Sequence, residues 1–69
     1  MTTFTYLKTI TESKSLPLTT KNDDGENVII EQGAESGESF FIVVTAQNNG
    51  WCRINTYWQD GTIEETYRK

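Results

Sequence analysis

Few side chains in this sequence can do covalent or acid–base chemistry, and their spacing narrows what they could do. Cys52 is the only thiol, and there is no histidine to act as its base or to join it on a metal. A hydrolytic triad in its usual form is excluded, as is a Cys/His zinc set. The strand pattern around Cys52 turns it inward, as a small core residue. Paired carboxylates can serve as acid and base. Glu64 and Glu65, however, are adjacent in an extended segment and point to opposite faces.

Residues 20–31, TKNDDGENVIIE, invite a calcium test. Counted from Thr20, they place Asn22, Asp24, Gly25 and Glu31 at positions 3, 5, 6 and 12 of an EF-hand loop. The first position holds Thr where Asp is wanted, and no helical pattern flanks the segment. It reads as a hairpin turn. No Gly-rich phosphate loop is present. The residues therefore point to no enzyme, no metal and no cofactor.

What remains is binding chemistry. Ten acids against six bases give a net charge of −4. Affinity for nucleic acid comes largely from Lys and Arg neutralising phosphates, so neither direct nucleic-acid binding nor an anionic membrane surface is expected. Residues 22–38 hold Asp23, Asp24, Glu26, Glu31, Glu35 and Glu38 with no Lys or Arg between them. The plain reading is a solvated loop with one strand in it. The sharper reading is an acidic patch that steers a basic partner protein. A second concentration lies in residues 48–67, NNGWCRINTYWQDGTIEETY, which hold both tryptophans and two of the three tyrosines.

The elements that position these groups must fit in one small domain, residues 1–69. A chain this short buries only ~60% of its unfolded surface. With no disulfide available, the fold rests on packing, and self-association is a further source of stability. An unpaired thiol suits a reducing cytoplasm. No apolar run reaches the ~20 residues of a membrane span. The start, MTTFTYLKTITESK, has no charged head followed by an apolar core, so it is not a signal peptide. A cytoplasmic protein is expected.

Helix signals are poor and strand signals strong. TFTYLKTIT (3–11) alternates and is rich in Thr and aromatics. SLPLTT (15–20) is a short strand that Pro17 confines to an edge or loop. NVIIEQ (27–32), ESFFIVVTAQ (38–47), WCRINTYWQ (51–59) and TIEETYRK (62–69) complete an all-β antiparallel meander of about five strands.

Asn49-Gly50 and Asp60-Gly61 predict two-residue hairpin turns. That register opposes Phe41 to Trp58 and Trp58 to Ile63. One face then carries Phe41, Val43, Thr45, Cys52, Ile54, Trp58, Ile63 and Tyr67, the expected core. The other carries Phe40, Ile42, Val44, Trp51, Arg53, Asn55, Tyr57, Glu64 and Thr66. Residues 38–47 are apolar on both sides, which predicts cover on both, as in a closed barrel or sandwich. Trp51, Arg53 and Tyr57 share the second face as a candidate partner-binding ladder, since aromatics and Arg are common interface anchors. Glu64 and the six acids of residues 22–38 are the accompanying charged candidates.

Gly37-Glu38, Phe41 to Val44, Gly50-Trp51, Arg53-Ile54, Asp60-Gly61 and Tyr67 follow one another as in bacterial SH3-like repeats, which residues 37–69 resemble. The resemblance implies a half-open SH3-like barrel used for targeting, often to cell-wall peptide, with Trp51 and Tyr57 on the ligand. Two parts of the family pattern are replaced here. Thr62-Ile63-Glu64 stand where a second Gly-Trp is usual, and ITESKSLPLTT takes the place of the first strand and its Gly-Pro turn. In size and charge the chain is instead similar to the inhibitors that phages and mobile elements direct at host defences, anti-CRISPR proteins among them. The likeness implies a stand-alone protein that blocks a basic, nucleic-acid-binding surface.

Overall fold

A computed structural model describes residues 2–69. One helix, α1 (Thr3–Thr11), precedes five strands: β1 (Leu18–Lys21), β2 (Asn27–Glu35), β3 (Glu38–Ala46), β4 (Cys52–Trp58) and β5 (Ile63–Arg68). The strands form one antiparallel sheet in chain order, β1-β2-β3-β4-β5. The all-β meander is thus the architecture formed, and its sheet is open. Pro17 stands just before β1, at the sheet's edge, as its missing N–H requires.

The first segment differs from expectation. Residues 3–11 are a helix, not a strand. Their apolar positions also fit a helical period, because Phe4, Leu7, Ile10 and Thr11 fall on one side. Thr2 caps the helix, its hydroxyl accepting from the Thr5 N–H at 3.1 Å. The Thr hydroxyls that favour strands elsewhere bond back along the helix: Thr9 donates to the Thr5 carbonyl at 2.9 Å, and Thr11 to that of Leu7 at 2.8 Å. Packing does the rest. Leu7, Val28, Ile30 and Phe41 form the buried core, with Phe4, Ile10, Leu16, Leu18, Val43 and Tyr57 against it.

The register also differs, by one residue at each of two turns. Ala46 pairs with Cys52, and the Gln47 N–H donates to the Trp51 carbonyl at 2.8 Å. The loop between them holds three residues, Asn48–Gly50, with Asn49 and Gly50 both at positive φ. The Trp58 N–H donates to the Thr62 carbonyl at 2.9 Å, so the next loop holds three residues too. A slip of one turns every side chain of a strand over. In β4 the covered side therefore carries Arg53, Asn55 and Tyr57, while Cys52, Ile54 and Trp58 face outward. Trp58 pairs with Phe40, not Phe41. In β5 the second slip cancels the first, and Ile63 and Tyr67 lie on the side expected of them, opposite Tyr57 and Arg53.

Nor is the sheet covered twice. The helix lies on the face of Phe41 and Val43. Among the described residues, no helix or strand lies over the opposite face, although Leu16 and Pro17 border it beside Phe40 and Ile42.

Candidate functional site

The residues marked out in the sequence gather at the two ends of the sheet and on its open face. At one end is the β1–β2 turn. Asn22 winds it, its side-chain oxygen accepting from the N–H groups of Asp24 and Glu26, both at 3.0 Å. This leaves Asp23 and Asp24 exposed. Glu26 is tied down instead. It accepts from the Asn22 amide at 3.0 Å and from the Gln47 amide at 3.5 Å. Gln47 in turn closes the loop to Trp51, so Glu26 links the acidic turn to the tryptophan loop.

Trp51 is 43% exposed and lies just outside β4, with the Lys69 ammonium 5.8 Å from its ring centroid. The ladder Trp51–Arg53–Tyr57 is not a free surface. Its residues do share one side, but that side is the one the helix covers. Tyr57 packs against the core, and Arg53 is half-buried between Thr45 and Tyr67. Only Trp51 of the three is well exposed. A cleft of about 250 Å³ opens at the same end between α1 and the β1–β2 turn, with Tyr6, Ile10, Asn22 and Asp23 on its walls.

The other end is also acidic. Glu35 and Glu38 stand opposite each other across the β2–β3 hairpin. Like charges so placed destabilise a hairpin. Glu38, Asp60 and Glu64 border a groove of about 320 Å³ beside Trp58. Glu64 accepts from the Trp58 indole N–H at 2.7 Å, while Glu65 accepts from the Asn55 amide at 3.0 Å. The two carboxylates do point to opposite faces. Asp60 accepts from the Thr62 N–H at 2.8 Å, and that bond holds its pKa below the ordinary value. Among the described residues, no group of three or more His, Cys, Asp or Glu side chains could hold a metal ion.

The six acids of residues 22–38 are therefore not one patch. β2 runs between Asp23-Asp24 at one end and Glu35-Glu38 at the other, ~27 Å for a nine-residue strand. Glu31 lies between them on the open face. Among the described residues, no carboxylate accepts a hydrogen bond from a Lys or Arg; the donors are Asn22, Gln47, Asn55, Trp58 and the Thr62 backbone.

The open face is what the sequence reading missed. It carries Ile29, Phe40, Ile42, Val44, Ile54 and Trp58, by the register of the ladders. Phe40 and Trp58 lean on each other, centroids 4.7 Å apart at 52°. Phe40 also lies across Gly33, where an added Cβ would come within 2.6 Å of its ring. The available signal was the two-sided apolar run in β3. Asn-Gly and Asp-Gly fit loops of two or three residues alike, and the loop at Asn49-Gly50 decided the face of Trp58.

The chain matches no protein-family model, no curated protein and no solved structure.

Proposed function

We propose that the chain is a non-catalytic interaction module that docks on a basic surface of another protein. The observation that carries this is the set of exposed carboxylates at the sheet ends, none bonded to a Lys or Arg among the described residues. Internal pairing would have neutralised them. Left unpaired, with net charge −4, they attract a basic surface and speed encounter with it.

Basic protein surfaces commonly hold nucleic acid, since phosphate affinity comes from Lys and Arg. An acidic chain seated there competes with the nucleic acid. On this reading it is an inhibitor of the anti-defence, anti-CRISPR-like kind carried by phages and mobile elements. It acts in the cytoplasm, without a cofactor and without touching nucleic acid or membrane itself. Among the described residues, no helix is long and apolar enough to cross a membrane. Asp23 and Asp24, beside the Tyr6 cleft and the Trp51 loop, are the first contact; Glu35 and Glu38 are the second. The exposure of Trp51 favours one further reading, a targeting module of the SH3-like kind that takes a peptide or cell-wall ligand on that tryptophan.

The test is capture of a partner from host lysate, followed by kinetics on the purified pair. The association rate should fall as salt rises from 0.05 to ~0.5 M, because exposed charges are screened. Replacing Asp23 and Asp24 with Lys should lower it ~10-fold with little change in the melt. The partner should lose nucleic acid as it binds the chain. An association rate flat with salt, or a partner that holds both together, would overturn the reading.

A further inference from the structure

We infer that a second copy of this chain covers the open face, packing sheet to sheet about a two-fold axis that crosses the strands. Antiparallel sheets with one wet side normally present polar residues there. Here β3 is apolar on both sides, and Ile29, Phe40, Ile42, Val44, Ile54 and Trp58 form one continuous patch over three neighbouring strands. Ile29 is 40% exposed, and the other five are half-buried by their neighbours in the sheet. A hollow of about 350 Å³ opens on the same face, lined by Pro17, Glu31, Phe40 and Ile42. Gly33 lets the Phe40 ring lie down on β2, and Trp58 flanks it on the other side. An apolar sheet face suits another sheet at the ~10 Å spacing of stacked sheets, with side chains of the second sheet entering the hollow.

Charge selects the occupant and its orientation. Lys21 and Arg68 lie on this face at the end where β1 and β5 finish. Glu31, Glu35, Glu38 and Glu64 lie toward the other end. A two-fold axis parallel to the strands would set like charges against like. An axis across the strands sets each base against acids. Centred on the apolar patch, it crosses β3 and β4 between the Val44–Ile54 and Ile42–Thr56 pairs. Arg68 of one copy then falls near Glu64 and Asp60 of the other, and Lys21 between Glu31 and Glu35. The face is complementary to itself in that arrangement alone.

The area suits a weak dimer that forms as concentration rises. Five strands ~4.8 Å apart, over seven or so residues at ~3.3 Å each, give a plane of roughly 450 Å² before the relief of the side chains is counted. That is below the ~800 Å² per partner of a standard interface and in the range of weak, concentration-dependent ones. Self-association also answers the shortage of core in a chain of 69 residues. Asp23 and Asp24, in the turn beyond the end of the sheet, stay outside the interface. Glu35 of the second contact lies at the margin of this interface, so the dimer and the partner contact are told apart at Asp23 and Asp24, where each can fail without the other.

Sedimentation of the purified full chain across ~1 μM to 1 mM tests this. The expected result is a rise from the mass of one chain to that of two. Ile42→Asp should weaken self-association at least ~100-fold while the circular dichroism stays native. Arg68→Glu alone and Glu64→Arg alone should each weaken it ~10-fold or more, and an equimolar mixture of the two should recover the doubled mass, because each copy then supplies what the other lacks. Glu64 bonds Trp58 within the chain, so Lys21→Glu mixed with Glu31→Lys is a second pair that leaves that bond intact. A chain that stays single at 1 mM overturns the inference and leaves the face to a different protein. Dimerisation that ignores Ile42→Asp, or charge variants that do not rescue each other in either pair, overturns the interface.

Discussion

Phe40 and Phe41 are neighbours in β3 with the same side chain, and they have opposite fates. Phe41 is 1% exposed, set against Phe4 of the helix with centroids 5.2 Å apart. Phe40, one residue away, lies on the bare side of the sheet and rests on Gly33 and Trp58. The two faces differ little in apolar content along β3. They differ in cover, because a chain this short supplies one helix and that helix chose one side. Apolar sequence marks what could be core; the covering element decides what is.

Truncation breaks the comparison most sharply. Phe41→Ala should cost ~3–5 kcal/mol, the usual range for a buried aromatic. A 69-residue domain has about 3–10 kcal/mol in all, so the variant should be largely unfolded at 25 °C. Phe40→Ala should cost less than half as much when the chain is dilute enough to be single. Urea unfolding of both at low micromolar concentration decides. Equal losses would mean that the open face is covered even there.

Gly33 sharpens the comparison. Alanine in place of a strand glycine normally gains ~0.5–1 kcal/mol. Here the new methyl would meet the Phe40 ring at 2.6 Å, and displacing the ring costs ~1–3 kcal/mol as overpacking. Gly33→Ala should therefore be destabilising by ~1 kcal/mol in the native chain and neutral or better with Phe40→Ala present. A double-mutant cycle with no coupling would mean that the ring does not rest on β2.

The strands were legible because β-branched runs and Gly-containing turns agree with one another from residue 18 onward. Residues 3–11 were not. Their four threonines read as strand, and only the spacing of Phe4, Leu7 and Ile10 together with the Thr2 cap spoke for helix. Helix or strand was settled by burial against Phe41, which no local pattern contains. The face of the Trp51–Arg53–Tyr57 ladder was hidden for a different reason. Arg53 and Tyr57 share a side by their spacing along β4; one extra residue in the Asn48–Gly50 loop decided which side that was. The acids read as one patch because they are contiguous in sequence, whereas a nine-residue strand draws them apart.

Thr2→Ala tests how firmly the cover is held. Loss of an N-cap costs ~1 kcal/mol, and here the capped turn carries Phe4 onto Phe41. The melt should drop modestly. Amide exchange should speed at Thr5, whose N–H the Thr2 hydroxyl accepts, with no change in β3. Uniform acceleration across the sheet would mean that helix and sheet open together.

The smallest effect belongs to the turn that returns β5 to the covered side. Asp60 holds the Thr62 N–H at 2.8 Å, and this bond favours its charged form, holding its pKa below the ordinary 3.8. A carboxylate whose pKa is lower in the folded chain than in the unfolded one contributes stability that is fully present above the unfolded value. That contribution fades as pH falls through the folded value, because the unfolded chain takes up its proton first. Asp60→Asn keeps an oxygen for Thr62 but removes the charge. The native chain should be slightly the more stable of the two above about pH 5, with the gap closing only below the ordinary value, under pH 4. The chain has ten Asp and Glu side chains, so urea midpoints must be read as the difference between native and variant chains, in which every carboxylate but Asp60 cancels. The exposure of Asp60 keeps the gap small. A gap that stays constant down to pH 2 would show that the turn needs the shape of this side chain and not its charge.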